Sequence, residues 1–243
     1  MSGMRRLYLP PEQLATAPRV KLTEGQSQHL LTVLRLRPGE ALEVFDGRGG
    51  RFQAVLAPFG LEIGAALPSP PRRVDLVLVQ ALAKGEKMDL VVQKATELGV
   101  SRIVPLAAER SVVRLEEKRA GSRAARWRRI AQEAARQSGR ADVPAVDEPC
   151  SWEAVFALLR EDPERRGLLL DPGERELKLG DAARGAPRLL LAAGPEGGFS
   201  AGERERAIEA GLLGVALGPL VLRSETAGLA ALAVALHVNG ELG

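Results

Sequence analysis

Gly194-Pro195-Glu196-Gly197-Gly198-Phe199-Ser200 and, shortly after it, Leu217-Gly218-Pro219-Leu220-Val221-Leu222-Arg223-Ser224-Glu225-Thr226-Ala227 are the stretches that decide the fold. The first motif follows the apolar run 189–193 and precedes a polar helical pattern over 201–210, so it predicts a strand-to-helix turn. The second follows the short apolar run 214–217, and Ser224 or Thr226 is predicted to cap a helix that continues to about His237. Such turns are where α/β proteins bind ligands, and two adjacent turns predict one shared pocket.

Upstream of these motifs, strand-like and helical patterns alternate from residue 74 onwards. Apolar runs predict strands at 74–80, 103–106, 143–146 and 168–170, and helical patterns predict helices at 87–98, 122–137 and 152–160. This alternation predicts a mostly parallel sheet with helices on both faces. The last predicted helix is apolar on all sides as far as residue 236, so we expect it to be buried within the domain or in a subunit interface.

The first 70 residues differ from the rest because they show strand and turn signals with little helix. Alternating runs at 42–45 and 52–56 flank Asp46-Gly47-Arg48-Gly49-Gly50, which predicts a β-hairpin. One helical pattern interrupts them at about 27–35. Pro68-Ser69-Pro70-Pro71 predicts a stiff linker, because proline fixes φ and disfavours helix before it. We therefore predict a small β-rich domain over 1–70 and an α/β domain over 71–243.

The composition is that of an ordinary globular protein of 243 residues, with 45% hydrophobic and 27% charged residues. No apolar stretch reaches the ~18 residues of a membrane span, and the N-terminus lacks the apolar core of a signal peptide. These features favour a cytoplasmic protein without a membrane partner. A single Cys150 and two histidines, His29 and His237, offer no zinc or iron constellation, so no metal site is predicted.

Basic residues are segregated from acidic ones along the chain. Residues 109–140 contain ten Lys or Arg against four Asp or Glu, whereas 141–243 contain ten against seventeen. Two interpretations stay open at this point: solvated faces of Arg-rich helices, or a footprint for nucleic acid, whose phosphates clustered arginines approach favourably. The aromatic content of 3% argues against a base-stacking platform of the single-strand-binding type.

The glycine-rich motif does not match the common phosphate-binding loops. A Walker loop requires Lys followed by Ser or Thr after its glycines, and here Gly198 is followed by Phe199 and Ser200. A dinucleotide fingerprint requires more widely spaced glycines near the first strand of its unit. A tight backbone bend would explain the glycines alone. It leaves Glu196 unexplained, whose carboxylate at the tip of the turn would be available to a ligand amine, a ribose hydroxyl or a base edge.

The start of the last predicted helix also carries charge. Helix capping with an acidic first turn would explain Ser224 and Glu225. Capping does not explain Arg223, since the helix dipole disfavours a cation at a helix N-terminus. An anion such as an RNA phosphate or a carboxylate would hold an arginine there.

Taken together, these residues resemble the RsmE family of 16S ribosomal-RNA uridine-N3 methyltransferases, within the SPOUT superfamily. The resemblance rests on 194–200, Leu217-Gly218 and 222–227, and it extends over nearly the whole chain. Further matching segments are His29 with Val33-Leu34-Arg35, Asp46-Gly47, 94–100, Arg126-Trp127, Glu133-Ala134-Ala135 and Gln137-Ser138. One departure is Pro219-Leu220, where the family pattern leads us to expect a polar or basic residue.

The resemblance implies a fold and a cofactor that the residue patterns alone do not. The implied fold is an N-terminal PUA-like β-barrel that binds RNA, joined to a SPOUT-type α/β domain with a mostly parallel sheet and a deep trefoil knot, assembled as a homodimer. The implied cofactor is S-adenosyl-L-methionine, held largely by backbone groups of three loops. Mapped onto this sequence, its binding residues are Leu170, Gly194, Pro195, Glu196, Gly197, Gly198, Leu217, Gly218, Leu222, Arg223, Ser224 and Thr226.

The implied reaction is methylation of N3 of a specific uridine, U1498 in standard numbering, of 16S rRNA in the small ribosomal subunit. We expect Arg223 to orient and stabilise the uridine, and Glu225 or Glu196 to accept its proton. The arginines expected to contact rRNA phosphates are Arg5, Arg6, Arg35, Arg126, Arg128 and Arg129. Two alternatives stay open: a SPOUT methyltransferase acting on another rRNA or tRNA base, and a non-catalytic RNA-binding dimer.

Overall fold

The chain divides into two compact units. The computed structural model describes residues 5–69, 72–83, 85–111 and 117–243. The first unit comprises the described residues up to 69 together with 135–143, and the second comprises those of 72–134 and 144–243. Pro70 and Pro71 of the predicted linker lie outside the described residues. The inclusion of 135–143 in the first unit is a feature that the sequence did not indicate.

The first unit is built on a five-stranded sheet that forms a half-barrel with strand order β1-β3-β4-β5-β2. The pairing of β1 with β3 is parallel, and the other pairings are antiparallel. Its strands are β1 (Arg6–Tyr8), β2 (Arg19–Val20), β3 (Ala41–Phe45), β4 (Arg51–Ala57) and β5 (Gly60–Leu67). Two short helices, α1 (Pro11–Leu14) and α2 (Glu24–Gln28), precede β3.

The hairpin predicted in this unit is confirmed, whereas the predicted helix is different. Strands β3 and β4 pair antiparallel across the glycine-rich turn, with Phe45 opposite Arg51. The helical pattern begins earlier than predicted, because the side chain of Thr23 accepts a hydrogen bond from the backbone N–H of Gln26 and caps α2. The chain then continues as one π-helical turn, His29–Val33. The helical backbone does not continue past Leu34, because Arg35 has a left-handed φ of 52°.

A buried ion triad ties β1 to the rest of the first unit. The carboxylate of Glu43 lies 2.7 Å from Arg6 Nη2 and 2.7 Å from Arg51 Nη2. The guanidinium of Arg6 also donates to the backbone carbonyls of Ala135, Arg136 and Arg140 at 3.1–3.3 Å. Arg6 is only 9% exposed and its donors are used inside the protein, so the prediction that it contacts RNA phosphates is wrong.

The second unit contains a six-stranded sheet in which every recorded pairing is parallel, with strand order β11-β9-β10-β6-β7-β8. The prediction of a mostly parallel α/β sheet is confirmed. Its strands are β6 (Asp75–Ala81), β7 (Arg102–Leu106), β8 (Ala145–Val146), β9 (Arg166–Leu170), β10 (Arg188–Ala193) and β11 (Leu213–Val215). The helices after residue 72 are α3 (Lys87–Leu98), α4 (Glu117–Ser138), α5 (Trp152–Glu161), α6 (Leu179–Ala183), α7 (Ala201–Glu209) and α8 (Ser224–Val238). The last residues of α4 belong to the first unit.

Helices cover both faces of this sheet, because side chains alternate along its buried strands. On one face Val77 and Val79 pack with Trp152 of α5 and Ala207 of α7. On the other face α8 packs against β6 and β10 and is flanked by α3 and α6. The approach of α8 is close at Gly228, where an added Cβ would lie 2.5 Å from Gln80 Oε1.

Helix α8 differs from its prediction at its N-cap, and its burial within one chain leaves the predicted subunit-interface alternative open. Its N-cap is Arg223, and Ser224 lies inside the first turn, where its hydroxyl donates to Glu225 Oε2 at 3.2 Å instead of capping the backbone. The helix is also not buried on all sides within one chain. Its inner face, which includes Leu232 and Leu236, is buried, whereas the opposite face is half-buried. No helix in the described ranges is both long and apolar enough to cross a membrane.

Candidate functional site

One cleft lies where three neighbouring parallel strands end. Strands β10, β9 and β11 are adjacent in the sheet, so the loops that follow them meet at one edge. The cleft is lined by Leu170 to Pro172 after β9, by the glycine-rich turn after β10, and by 217–222 and the start of α8 after β11. The two motif loops are therefore not adjacent as predicted, because β9 lies between their strands, but they do share one pocket.

The glycine-rich motif forms a tight turn at the edge of this cleft. The backbone N–H of Gly198 donates to the carbonyl of Pro195 at 2.9 Å, which places Glu196 at a central position of the turn. Gly198 has a φ of 66°, a left-handed conformation that glycine adopts without strain. The requirement for glycine at 198 is thus conformational, whereas the side chain of Glu196 stays about one-third exposed at the turn.

Hydrogen bonds from neighbouring elements hold this turn in place. Ser200 and Glu203 form a capping box that begins α7. Glu203 is 1% exposed, and its carboxylate also accepts from Trp152 Nε1 at 3.0 Å and from the backbone N–H of Glu109 at 2.9 Å. The guanidinium of Arg110 donates to the carbonyl of Gly197 at 3.0 Å. The position of the turn is therefore fixed by hydrogen bonds from several elements of the second unit.

A cluster of three ionisable side chains lies beside the glycine-rich turn. Lys87 Nζ, at the first residue of α3, lies 2.7 Å from Glu196 Oε1 and 3.3 Å from Glu225 Oε2. Glu225 is 9% exposed and also accepts from the hydroxyl of Ser224. Lys87 and Glu196 are each about one-third exposed. One ammonium group thus bridges the two carboxylates that the sequence singled out.

Lys87 and each of the two carboxylates favour one another's charged form. The hydrogen bond from Lys87 lowers the pKa of Glu196 below its ordinary value. Burial opposes ionisation of Glu225, but its own backbone N–H and Lys87 outweigh that effect and the pKa of Glu225 is also lowered. The hydrogen bonds to Glu196 and then to Glu225 raise the pKa of Lys87. At neutral pH the cluster therefore contains two carboxylates and one ammonium.

Most of the residues predicted to bind the cofactor lie together in the cleft. Those that line it are Leu170, Gly194, Pro195, Glu196, Gly198, Leu217, Gly218, Leu222 and Ser224. Gly197, Arg223, Glu225 and Thr226 are not part of its lining. Arg223 is exposed, and its side chain makes no hydrogen bond or ion pair with the described part of the chain. Lining residues that were not among the predicted cofactor contacts are Asp171, Pro172, Phe199, Leu220, Val221 and Ala227, and of these Asp171 and Pro172 lie outside the two motifs.

The departure noted at Pro219-Leu220 coincides with an exposed apolar segment. Leu220 is 77% exposed and Val221 is 85% exposed, although both border the cleft. A larger cleft of about 540 Å³ shares Leu217 and Gly218 with it and is otherwise lined by residues of 174–181 and by Val234. The larger cleft contains neither the glycine-rich turn nor the lysine cluster, so the predicted pocket is the smaller one.

The remaining arginines predicted to contact RNA are all at least partly accessible. Arg35 and Arg129 are exposed. Arg5 forms an ion pair with Glu40, Arg126 with Asp89, and Arg128 donates to the carbonyl of Val146. These partners leave the side chains of Arg5, Arg126 and Arg128 at the surface, in contrast to Arg6.

Lys87 is the main residue that sequence reasoning missed. The local pattern marks it solely as the start of a helix. A signal is present, however, because β6 and β10 are both central parallel strands, and Lys87 follows β6 as Gly194 follows β10. Residues that follow the carboxyl ends of paired parallel strands lie at the same edge of a sheet. Knowledge of the strand order would have placed Lys87 beside the glycine-rich turn.

Comparison with known protein families identifies the class to which this fold and site belong. Residues 70–236 match the RNA methyltransferase domain, and residues 22–58 match the RNA methyltransferase PUA domain. The chain thus has the two-part organisation of RNA methyltransferases that carry a PUA domain.

Individual relatives narrow the class to one family. A ribosomal RNA small subunit methyltransferase E from Mycobacterium bovis is 36% identical over 211 residues, which cover 84% of this chain and 80% of the relative. The crystal structure of a ribosomal RNA small subunit methyltransferase E from Neisseria gonorrhoeae, bound to S-adenosyl methionine, superposes with a TM-score of 0.87 at 35% identity and covers 98% of each chain. A Legionella pneumophila protein in complex with the same cofactor gives a TM-score of 0.85 at 32% identity, again over 98% of each chain. The chain belongs to the family of ribosomal RNA small subunit methyltransferase E, as the motifs indicated.

Proposed function

We propose that this protein transfers a methyl group from S-adenosyl-L-methionine to N3 of one uridine of 16S rRNA, U1498 in standard numbering, in the small ribosomal subunit. The observation that carries the proposal is the juxtaposition of the strand-end cleft with the cluster of Lys87, Glu196 and Glu225. The cleft provides a site for a cofactor, and the cluster provides one ammonium and two carboxylates beside that site. The relatives solved with the cofactor support the same assignment.

The residues of the cleft fit the cofactor chemically. S-adenosylmethionine supplies an electrophilic methyl group and needs little further activation. The main chain of the glycine-rich turn and of Leu217 and Gly218 would contact its adenosine and methionine parts, since the glycines leave these backbone groups accessible. The apolar side chains of Leu170 and Leu222 would pack against its flat base. Asp171 supplies a carboxylate at the end of β9 for hydroxyl or amine groups.

The chain's own contribution to the reaction is to place uridine and to remove the proton from its N3. Carboxylates held ionised are competent to accept or orient that proton, and Glu225 and Glu196 are both candidates. Lys87 fixes the distance between them and offsets their mutual repulsion. Its ammonium group would also favour the uridine anion over the neutral base. We assign Lys87 a positioning role, and we leave the proton to one of the two carboxylates.

Arg223, two residues before Glu225, is the last member of the proposed site. Its side chain is exposed at the N-terminus of α8 and is not engaged by the described residues. A cation in that position has favourable interactions with an anionic ligand, either an RNA phosphate or the uridine oxygens. We propose that it orients the acceptor base. Arg5, Arg35, Arg126, Arg128 and Arg129 would bind rRNA phosphates.

Further properties of the family complete the proposal. We propose a homodimer, supported by the exposed Leu220 and Val221 and by the half-buried outer face of α8. We also propose that the cofactor loops form a deep trefoil knot. The backbone N–H of Ala216 donates to the carbonyl of Leu177, and the carbonyl of Ala216 accepts from the N–H of Leu179. The segment that leads into the second motif therefore lies against the chain that follows β9, and this contact supports the knot. The protein would act in the cytoplasm, where small subunits are assembled.

Nucleoside mass spectrometry of rRNA from a deletion strain tests the proposed function. Loss of N3-methyluridine from 16S rRNA, and its restoration by the intact gene, is the expected result. A missing modification on another rRNA or tRNA base would assign a different substrate to the same fold. Calorimetry with S-adenosylmethionine tests the other alternative, a non-catalytic RNA-binding dimer, because a protein that only binds RNA would show no affinity for the cofactor.

A further inference from the structure

The tip of the β4–β5 hairpin carries an aromatic ring that the first unit does not bury. The hairpin turns at Pro58 and Phe59, and Ala57 pairs with Gly60 across the turn. Phe59 is 95% exposed, the highest exposure among the large apolar side chains described. An aromatic ring exposed to this extent costs free energy in water unless a partner covers it.

The exposed ring borders a cleft of about 330 Å³ in the same unit. The cleft walls expose polar and apolar surface in about equal measure, and the principal lining residues are Leu22, Ser27, Leu31, Pro38, Leu56 and Phe59. Leu31 is 52% exposed, so the apolar surface continues from the cleft onto the π-helical turn. Leu56 is 5% exposed and belongs to the core, which gives the cleft a rigid floor.

Cationic side chains surround the cleft. Val20 pairs with Leu61, which places Lys21 beside Gly60 at the hairpin tip. The N–H of Gly39 donates to the carbonyl of Leu56 at 2.7 Å, which places the segment containing Arg37 along the opposite wall. Arg35 lies two residues after the π-helical turn that contains Leu31. Lys21, Arg35 and Arg37 are all exposed.

The acidic groups nearby do not cancel this positive charge. Glu40 follows Arg37 closely, but its carboxylate forms an ion pair with Arg5 at 3.0 Å and accepts from the backbone N–H of Arg37. Glu24 lies in the first turn of α2 and is exposed. The surface around the cleft therefore stays basic, and the cleft at its centre has an aromatic ring at its edge.

We propose that this cleft binds one unpaired nucleobase of the RNA substrate, stacked on Phe59, while Lys21, Arg35 and Arg37 contact the flanking phosphates. Single-stranded RNA is recognised by this combination of an aromatic face and basic side chains. The low aromatic content argues against an array of stacking residues, and a single ring is sufficient for a single base. A second copy of the chain is a poorer occupant, because two identical basic surfaces would repel each other.

The inference rests on the proposed RNA substrate and adds a second contact point to it. The test compares Phe59→Ala, Phe59→Tyr and the wild type for methylation of unmodified small ribosomal subunits at fixed salt. Phe59→Ala is expected to raise KM for the subunits about tenfold with kcat unchanged, since loss of one base–aromatic stack weakens binding and leaves the lysine cluster and the cofactor cleft intact. Phe59→Tyr retains a ring and should restore the wild-type KM.

Ile208→Ala in the second unit is the control, because it removes another large apolar side chain that is partly exposed, at 47%. An equal KM for Phe59→Ala and Ile208→Ala would overturn the proposal while wild-type methylation upheld the enzyme function. Inactive wild-type protein would instead count against the proposed function itself. Photo-crosslinking from Phe59→p-benzoylphenylalanine identifies the occupant: a crosslink to rRNA supports the proposal, and a crosslink to protein alone overturns it.

Discussion

Two ion triads of opposite composition occur in the two units of this protein. In the first unit one carboxylate, Glu43, lies between Arg6 and Arg51. In the second unit one ammonium, Lys87, lies between Glu196 and Glu225. Glu43 is 2% exposed and its triad is closed by backbone carbonyls, whereas the Lys87 triad opens to solvent beside the cleft. Similar charge chemistry is therefore buried and satisfied as an internal cross-link in the first unit, whereas in the second unit it stays accessible at the proposed site.

Removal of the central carboxylate from the buried triad is expected to have the largest effect. Glu43→Ala would leave Arg6 charged and buried without its partner, so we expect the free energy of unfolding to fall by about 3–5 kcal/mol. Urea denaturation measures the change. Glu40→Ala removes an exposed carboxylate from the same sheet and should cost less than about 1 kcal/mol. Equal losses from the two substitutions would contradict the assignment of the first triad to stability.

Removal of the central cation from the accessible triad should affect catalysis rather than stability. Lys87→Met is expected to lower kcat about 100-fold, because the two carboxylates lose their shared partner and the uridine anion loses a nearby ammonium. Single-turnover methylation measures the rate. Lys94→Met is the control, since Lys94 lies on the same helix and pairs only with Glu97 among the contacts described. If Lys87→Met left the rate unchanged and shifted the unfolding midpoint, the Lys87 triad would contribute to stability and not to catalysis.

Arg223→Ala tests whether the site extends to the N-cap of α8. We expect S-adenosylmethionine affinity to be retained and methyl transfer to fall about tenfold to 100-fold, since the exposed guanidinium is available to the acceptor base. Calorimetry and single-turnover rates measure the two quantities separately. An unchanged single-turnover rate would exclude a catalytic role for Arg223.

The pH dependence of the reaction should report the influence of Lys87 on its two carboxylates. Lys87 lowers the pKa of Glu196 and, after burial and the backbone are considered, that of Glu225. Both carboxylates are thus ionised in the wild type at and above their ordinary range, and activity should decline only at lower pH. In Lys87→Met the like charges raise these pKa values, so the acid limb of log kcat should move to higher pH by about one unit. An unmoved limb would indicate that neither carboxylate takes part in proton transfer.

The smallest effect is expected from the exposed arginines. Replacement of Arg126, Arg128 and Arg129 by Ala should flatten the salt dependence of RNA affinity, with the slope of log K falling by about 0.7–0.9 for each phosphate that the variant no longer neutralises. Binding measured at several salt concentrations gives this slope. Arg175→Ala, which removes an exposed arginine from a different loop, should leave the slope unchanged. A common slope for both variants would place the RNA elsewhere.

The sequence predicted elements well where local signals were strong. Helix α3 begins and ends at the predicted residues. It ends where it does because Gly99 adopts a φ of 112° and stops it. The hairpin of β3 and β4 and the strand β10 are similarly confirmed. The two triads were not predictable in this way. Arg6 and Glu43 are 37 residues apart, and Lys87 and Glu196 are 109 apart, so their pairing depends on strand order and not on local pattern.

Local composition also misleads where burial decides the outcome. Charge alone groups Arg6 with Arg5 as a phosphate contact, although Arg6 is buried against Glu43 whereas Arg5 stays partly exposed beside Glu40. Capping preference favours Ser224 as the cap of α8, and the N-cap lies one residue earlier, at Arg223. Charge and capping rules describe exposed positions, and they lose predictive value where tertiary contacts satisfy the same groups.

The membership of residues 135–143 in the first unit bears on how this protein can be divided. Phe45 packs with Ala135 and Ala141, and Arg6 is held by carbonyls of the same segment. A fragment that stops at the proline-rich linker would therefore lack part of its own core. The N-terminal unit is not a contiguous cassette, so gene fusions, domain exchanges and recombination within the family have to move two separate segments together to keep it folded.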